Sequence, residues 1–180
     1  TQGYLVVCVD GRGTGFRGKK FASVVYKNLG KYETEDQIAA ARYVASLPYV
    51  DASKIGIFGW SFGGYETLMA MTAPGNPYAA GIAVAPVTDW RLYDSVYTER
   101  FMLTPQQNSV GYDASSTLGR IKNLKGNLLI VSGTADDNVH IANTFEFVSE
   151  ATSQNKILDM MVYPNKNHFI NGCETRLALY

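Results

Sequence analysis

The chain has 180 residues, 46% hydrophobic and 18% charged, with 16 Lys and Arg balanced by 16 Asp and Glu. That length can bury a substantial core in one domain, residues 1–180. A zero formal charge without a basic run argues against nucleic acid or an anionic membrane as partner. No apolar run approaches the roughly 20 residues of a membrane span, and no signal peptide is visible. The chain starts at Thr1 and enters an apolar run almost at once, so it reads as an excised segment. Cys8 and Cys173 are too few and too far apart for a disulfide framework or a zinc site. Cys8, inside an apolar run, is expected to be a small core residue.

Tyr4 to Val9 is continuously apolar, the pattern of a parallel strand covered on both faces. A Gly-rich turn, Asp10 to Gly18, follows. A helix is predicted to open at Thr34, with Gln37 three residues on as in a capping box. Ile38, Ala41 and Ala45 form its apolar face, and Pro48 ends it. Ile55-Gly56-Ile57-Phe58 is a second strand, Tyr65 to Met71 a helix, and Ala79 to Val84 a third strand. Residues 86 to 125 form an aromatic and polar excursion with several turn signals. Leu128 to Val131 is a fourth strand, His140 to Ser153 a helix, and Met160 to Tyr163 a fifth strand stopped by Pro164. Strands alternating with helices imply an α/β fold with a mostly parallel sheet and helices on both faces.

Between the second strand and its helix stands Gly59-Trp60-Ser61-Phe62-Gly63. Strand, G-x-S-x-G, helix is the nucleophile elbow, in which a sharp turn lifts the serine hydroxyl clear of the sheet. Side chains at the flanking positions would collide, hence glycine at 59 and 63. The helix behind offers the Phe62 amide and a positive dipole end to a developing oxyanion.

An elbow serine needs an acid and a histidine on loops after later strands, in the order Ser, Asp, His. Asp136 follows the fourth strand and His168 the fifth; the only other histidine is His140. His168 is placed to take the proton from Ser61, with Asp136 fixing the imidazole tautomer. Taken singly, the aspartates read as turn residues and His168 as a loop histidine; together they fill the three required slots. Spacing alone does not choose between Asp136 and Asp137, because either could turn inward while the other caps the helix at His140.

Gly13-Thr14-Gly15-Phe16-Arg17-Gly18 fits G-x-G-x-x-G. Lys19 to Leu29 is only weakly amphipathic, however, and a tight turn after a strand is the better reading. Trp90, Tyr93 and Tyr97 fall at i, i+3 and i+7, one face of a helix. Aromatics so spaced are usually core, but these lie on the excursion where a hydrolase builds its pocket.

These motifs resemble the dipeptidyl peptidase IV branch of the prolyl oligopeptidase family. The stretches that carry the resemblance are Asp10-Gly11-Arg12-Gly13, Glu35-Asp36-Gln37, Gly59 to Tyr65, Ala85-Pro86-Val87-Thr88-Asp89-Trp90, Tyr93 to Arg100 and Gly133 to His140. They are collinear over nearly the whole chain. Tyr163-Pro164 and Asn167-His168 have a bacterial look.

The resemblance implies an α/β-hydrolase domain of a serine exopeptidase that removes X-Pro or X-Ala dipeptides from free N-termini, without metal or cofactor. It implies Ser61 as nucleophile, His168 as base and, between the two aspartates, Asp136 as acid. The Phe62 amide would donate to the oxyanion. Phe62, Val87, Trp90, Tyr93, Tyr97 and Val139 would line a pocket for the proline ring, and Asn138 would hold the carbonyl of the dipeptide's first residue. Phe62 stands where the family usually has tyrosine, and Phe169 where a small residue is expected after the base.

The family also implies further sheet strands before Tyr4, an upstream β-propeller and a second oxyanion donor, a tyrosine hydroxyl, all outside these residues. A periplasmic or cell-surface setting and a homodimer through the hydrolase domain are further implications. The rival readings are another prolyl oligopeptidase or acylaminoacyl peptidase, and a catalytically incomplete segment acting in structure or interaction.

Overall fold

A computed structural model describes residues 3–179. Its centre is a parallel sheet of β1 (Gly56–Trp60), β2 (Ala80–Val84), β3 (Asn127–Gly133) and β4 (Asp159–Tyr163) in that spatial order. Each strand pairs with its successor, so every connection is a crossover, and each of the three crossovers carries helix. The four apolar runs bounded by turn residues thus became strands close to their expected limits.

One face is covered by α2 (Lys31–Ala45), α3 (Phe62–Met71) and α6 (Ala142–Ser153). Leu68 and Met71 of α3, Phe147 and Ala151 of α6, and Leu128 and Ile130 of β3 form the main core there, with Ile38, Ala41 and Ile57 against it. On the opposite face a smaller cluster joins Val84, Val131, Tyr163 and Ile170. Trp60 packs against it, as does Leu179 of α7 (Cys173–Leu179). Lower on that face Phe58 and Ile82, paired in register, are 53% and 38% exposed.

Several expectations are corrected. Tyr4 to Val9 forms no strand; Tyr4 and Val6 are 86% and 88% exposed, and Cys8 is exposed rather than in the core. A strand exists through its ladder, and among the described residues β1 ends the sheet without pairing to this run. The long helix opens at Lys31, not Thr34. Gly30 takes the left-handed conformation (φ 82°) that breaks the chain, which leaves Thr34 inside the first turn. A short helix, α1 (Lys19–Ser23), does start directly after Gly18.

The Gly-rich turn before it is held by Arg12, whose guanidinium binds Asp36 (2.7 and 3.0 Å) and lies 4.6 Å from the Tyr32 ring centre. That ion pair ties the turn to α2 and lowers the Asp36 carboxyl below its ordinary value.

Within the excursion, which also carries α5 (Ser109–Ser115), Trp90 lies in a 3-10 turn (Trp90–Leu92) and Tyr97 in α4 (Ser95–Met102), so the three aromatics do not share one helix. Asp89 and Asp94 explain the break. Each accepts from a backbone amide just ahead, Arg91 N (2.8 Å) and Tyr97 N (2.8 Å), and so starts its own turn. After β3 the helix begins at Ala142, and His140 instead accepts from the Ala142 amide (3.2 Å).

Candidate active site

Ser61 sits between the last residue of β1 and the first of α3 at φ 59°, ψ −116°. This is a conformation that a serine holds only when its surroundings over-determine it. They do so here. The Ser61 amide donates to Val84 O (2.8 Å) on β2, and its carbonyl accepts from Tyr65 N (3.0 Å), the first turn of α3. A side chain at 59 would lie 2.0 Å from Gly63 O, so Gly59 is dictated by the turn.

The expectation of a clash at Gly63 is not met, since a Cβ there meets nothing within 4 Å. Gly64 carries the second constraint instead: a Cβ would stand 2.8 Å from Val84 O, where α3 passes closest to β2. Phe62 is the first residue of α3, so its amide is among the N-terminal donors that no helical carbonyl reaches.

Asp136 and His168 meet. His168 Nδ1 donates to Asp136 Oδ2 at 2.9 Å, with both side chains almost wholly buried. Asp136 Oδ1 accepts from the amides of Asn138 and Val139, each at 2.9 Å, so its own loop fixes the carboxylate. Asp137 is exposed. Of the two aspartates that spacing left open, Asp136 is the one paired with His168. Nδ1 being a donor leaves Nε2 of a neutral ring as acceptor, the form that can take a proton from a hydroxyl. Among the described residues no hydrogen bond joins Ser61 Oγ to the imidazole. The two loops meet instead through Trp60, whose indole Nε1 donates to His168 O (2.9 Å).

The expected pocket residues converge although no single helix holds them. Val87, Trp90 and Val139 are buried in one cluster, with Phe62, Tyr93 and Tyr97 packed on it. The Trp90 ring stands 5.9 Å from Phe62, 5.9 Å from Tyr93 and 5.8 Å from Tyr97, stacked on the last. Burial pushes the Tyr93 and Tyr97 hydroxyls above their ordinary value, so the enclosure stays uncharged at neutral pH. Asn138 joins it, accepting from the Tyr93 hydroxyl through Oδ1 (2.6 Å).

Three features escaped the sequence reading. Trp60 is one. Tyr65 is another: fully buried, it packs edge-on to Trp90 (5.0 Å), and its one hydroxyl proton is shared between Leu29 O (3.0 Å) and Ser115 O (2.9 Å). Its position three residues after Phe62 on α3 was the available signal. The third is a pair of carboxyls, Glu33 and Glu66. Glu66 accepts from Thr34 Oγ1 (3.1 Å), while one oxygen of each carboxyl is buried without a hydrogen-bond partner. Burial pushes Glu66 well above the usual carboxylate range, and the nearby Glu33 adds to it.

An elbow serine at the carboxyl end of a parallel strand, with an acid–imidazole pair on the loops after two later strands, defines the α/β-hydrolase class. Comparison with known proteins narrows it. The Prolyl oligopeptidase family profile matches residues 1–180, and this chain belongs to that family. It is 50% identical over 184 residues to the probable dipeptidyl-aminopeptidase B of Ajellomyces capsulatus (strain H88), covering 100% of this chain and 20% of that protein. With the probable dipeptidyl-aminopeptidase B of Pyrenophora teres f. teres (strain 0-1) identity is 51% over 174 residues, 93% of this chain and 19% of the other. The crystal structure of Porphyromonas gingivalis dipeptidyl peptidase 4 superposes with a TM-score of 0.94 at 57% identity, over 96% of this chain and 25% of that one. The chain thus spans about a fifth to a quarter of these relatives' length.

Proposed function

We propose that the protein containing this chain is a serine exopeptidase that releases X-Pro or X-Ala dipeptides from free N-termini through an acyl-enzyme. The observation that carries this reading is the aromatic enclosure built directly on Phe62, the residue after Ser61. A compact, rigid apolar ring fits a box of aromatic faces that has no room for longer side chains.

In this reading Ser61 Oγ attacks the carbonyl of the dipeptide's second residue while His168 Nε2 takes its proton. Asp136 holds the ring in the required tautomer and stabilises the imidazolium. The Phe62 amide, at the positive end of α3, donates to the oxyanion. His168 returns the proton to the leaving amine, and water then resolves the ester. Asn138, already oriented by Tyr93, would donate its amide N–H to the carbonyl of the first residue.

The test uses the full-length protein and a free-amino Gly-Pro chromogenic conjugate beside its N-blocked form. Release from the free-amino conjugate alone is expected, falling at least about 10³-fold in Ser61→Ala. Equal turnover of the blocked conjugate would move the reading to an oligopeptidase or acylaminoacyl peptidase. A loss of only a few-fold in Ser61→Ala would remove that serine from catalysis.

A further inference from the structure

The nucleophile and the acid–base pair reach the site on separate pieces of chain. Ser61 is fixed to β2 and α3. The base loop, residues 164–170, is fixed to the acid loop: Ala135 N donates to Lys166 O (3.0 Å) and Asn165 N to Thr134 Oγ1 (2.8 Å), while His168 binds Asp136. Within the loop Ile170 N donates to Asn167 O (3.0 Å) and Phe169 N to Asn167 Oδ1 (3.2 Å), and Lys166 N reaches back to Tyr163 O at the end of β4 (3.5 Å). Acid and base loops therefore form one hydrogen-bonded unit.

Among the described residues, one hydrogen bond joins that unit to the elbow, Trp60 Nε1 to the carbonyl of His168 itself (2.9 Å). The residues involved are neighbours of the reacting groups: Trp60 precedes the nucleophile, and the acceptor is the base's own main chain. The Trp60 ring also packs on the cluster containing Ile170 of the base loop. Its outer face is approached by the Arg176 guanidinium of α7, 5.4 Å from the ring centre.

We infer that Trp60 is a positioning residue, a strut whose indole N–H sets the separation between Ser61 and the His168 imidazole. This rests on the reading of Ser61 and His168 as nucleophile and base. The division of labour follows from the bonds. Asp136 restrains the rotation and tautomer of the ring, whereas Trp60 restrains the translation of the loop carrying it. Without the strut the acid–base pair stays intact but drifts as a body, and proton transfer from Ser61 suffers more than the pocket, whose rings Phe62, Trp90, Tyr93 and Tyr97 lie off that unit and to which the acid loop adds only Asn138 and Val139. Misplacement of a reacting group by about 1 Å can cost on the order of 10²-fold in rate.

The test is Trp60→Phe in the full-length protein, which keeps an aromatic ring and removes the N–H. Expected are a fall in kcat of about 10- to 100-fold with KM for the Gly-Pro conjugate within about twofold, and an equal fall in the rate of Ser61 labelling by a fluorophosphonate. The apparent pKa governing kcat/KM should stay where it is, because Asp136 still holds the ring. Site-specific replacement of Trp60 by 3-benzothienylalanine, which keeps the bicyclic shape without the donor, should reproduce the loss; it decides alone if the phenylalanine variant does not fold. Labelling and kcat within twofold of wild type in either variant would overturn the strut, as would KM rising in step with the fall in kcat. A wild-type protein labelled at Ser61 that releases no dipeptide would sink the substrate reading, with the strut still decided by the labelling rates.

Discussion

Asp136 uses its two oxygens for different tasks, one closing its own loop on two amides and the other meeting the imidazole. Asp136→Asn can keep the first while presenting an N–H to Nδ1, which then has to become an acceptor and leaves Nε2 protonated. Activity on the Gly-Pro conjugate is expected to fall about 10⁴-fold, the cost of the wrong tautomer in comparable triads, with little change in melting temperature. Asp137→Asn, on the exposed neighbour, should stay within a few-fold of wild type, and the contrast between the two checks which aspartate is the acid. Trp90→Ala removes the ring on which Phe62, Tyr93 and Tyr97 converge. Turnover of a proline substrate should drop more than reaction with a small serine probe. Equal losses on both would mean a folding defect rather than a pocket.

Elements show what was legible and what was not. β1 to β4 could be read because each is a short apolar run closed by turn residues, a signal local to the chain. The opening of α2 could not, because Thr34 has the chemistry of a cap while the backbone break is made three residues earlier by Gly30. Tyr65 completes that logic from a distance: a Cβ on Gly30 would stand 2.2 Å from its hydroxyl. The aromatic box was legible as residues but not as a shape. Periodicity put Trp90, Tyr93 and Tyr97 on one helix, whereas two aspartate-started turns fold them together.

Thr34, displaced from the cap, donates instead to Glu66 across the α2–α3 interface. The folded chain holds that carboxyl above its ordinary value of 4.5. Its contribution to stability is therefore complete below the unfolded value and falls as pH rises toward the folded one. Glu66→Gln keeps an acceptor for Thr34 and cannot ionise. Its melting temperature should match wild type near pH 4.5 and exceed it by several degrees near pH 8; parallel melting curves across that range would show that Glu66 carries no such penalty.

On the scale of the whole molecule the two sheet faces are unequal. The face under α2, α3 and α6 holds the main core, and the Ser61 turn leaves the sheet at the end of β1 into α3, which packs on that face. Among the described residues the opposite face is buried toward the carboxyl ends of the strands, where Trp60 and Ile170 meet, and lower down Ile82 and Phe58 are partly exposed. The candidate site and the more exposed surface thus occupy different halves of the same strands, so the 180 residues taken alone should assemble the Asp136–His168 pair yet carry an adhesive face. Expressed by itself, this polypeptide is expected to bind a hydrophobic dye and to elute above its 19.8 kDa monomer mass, with both effects reduced in Ile82→Thr. A dye-silent monomer would mean that this face is covered in solution. The same preparation offers the sharper comparison. If the fluorophosphonate labels Ser61 here as fast as in the full-length protein, the elbow, the strut and the acid–base pair suffice to activate the serine; slower labelling would assign part of that activation to groups beyond these residues.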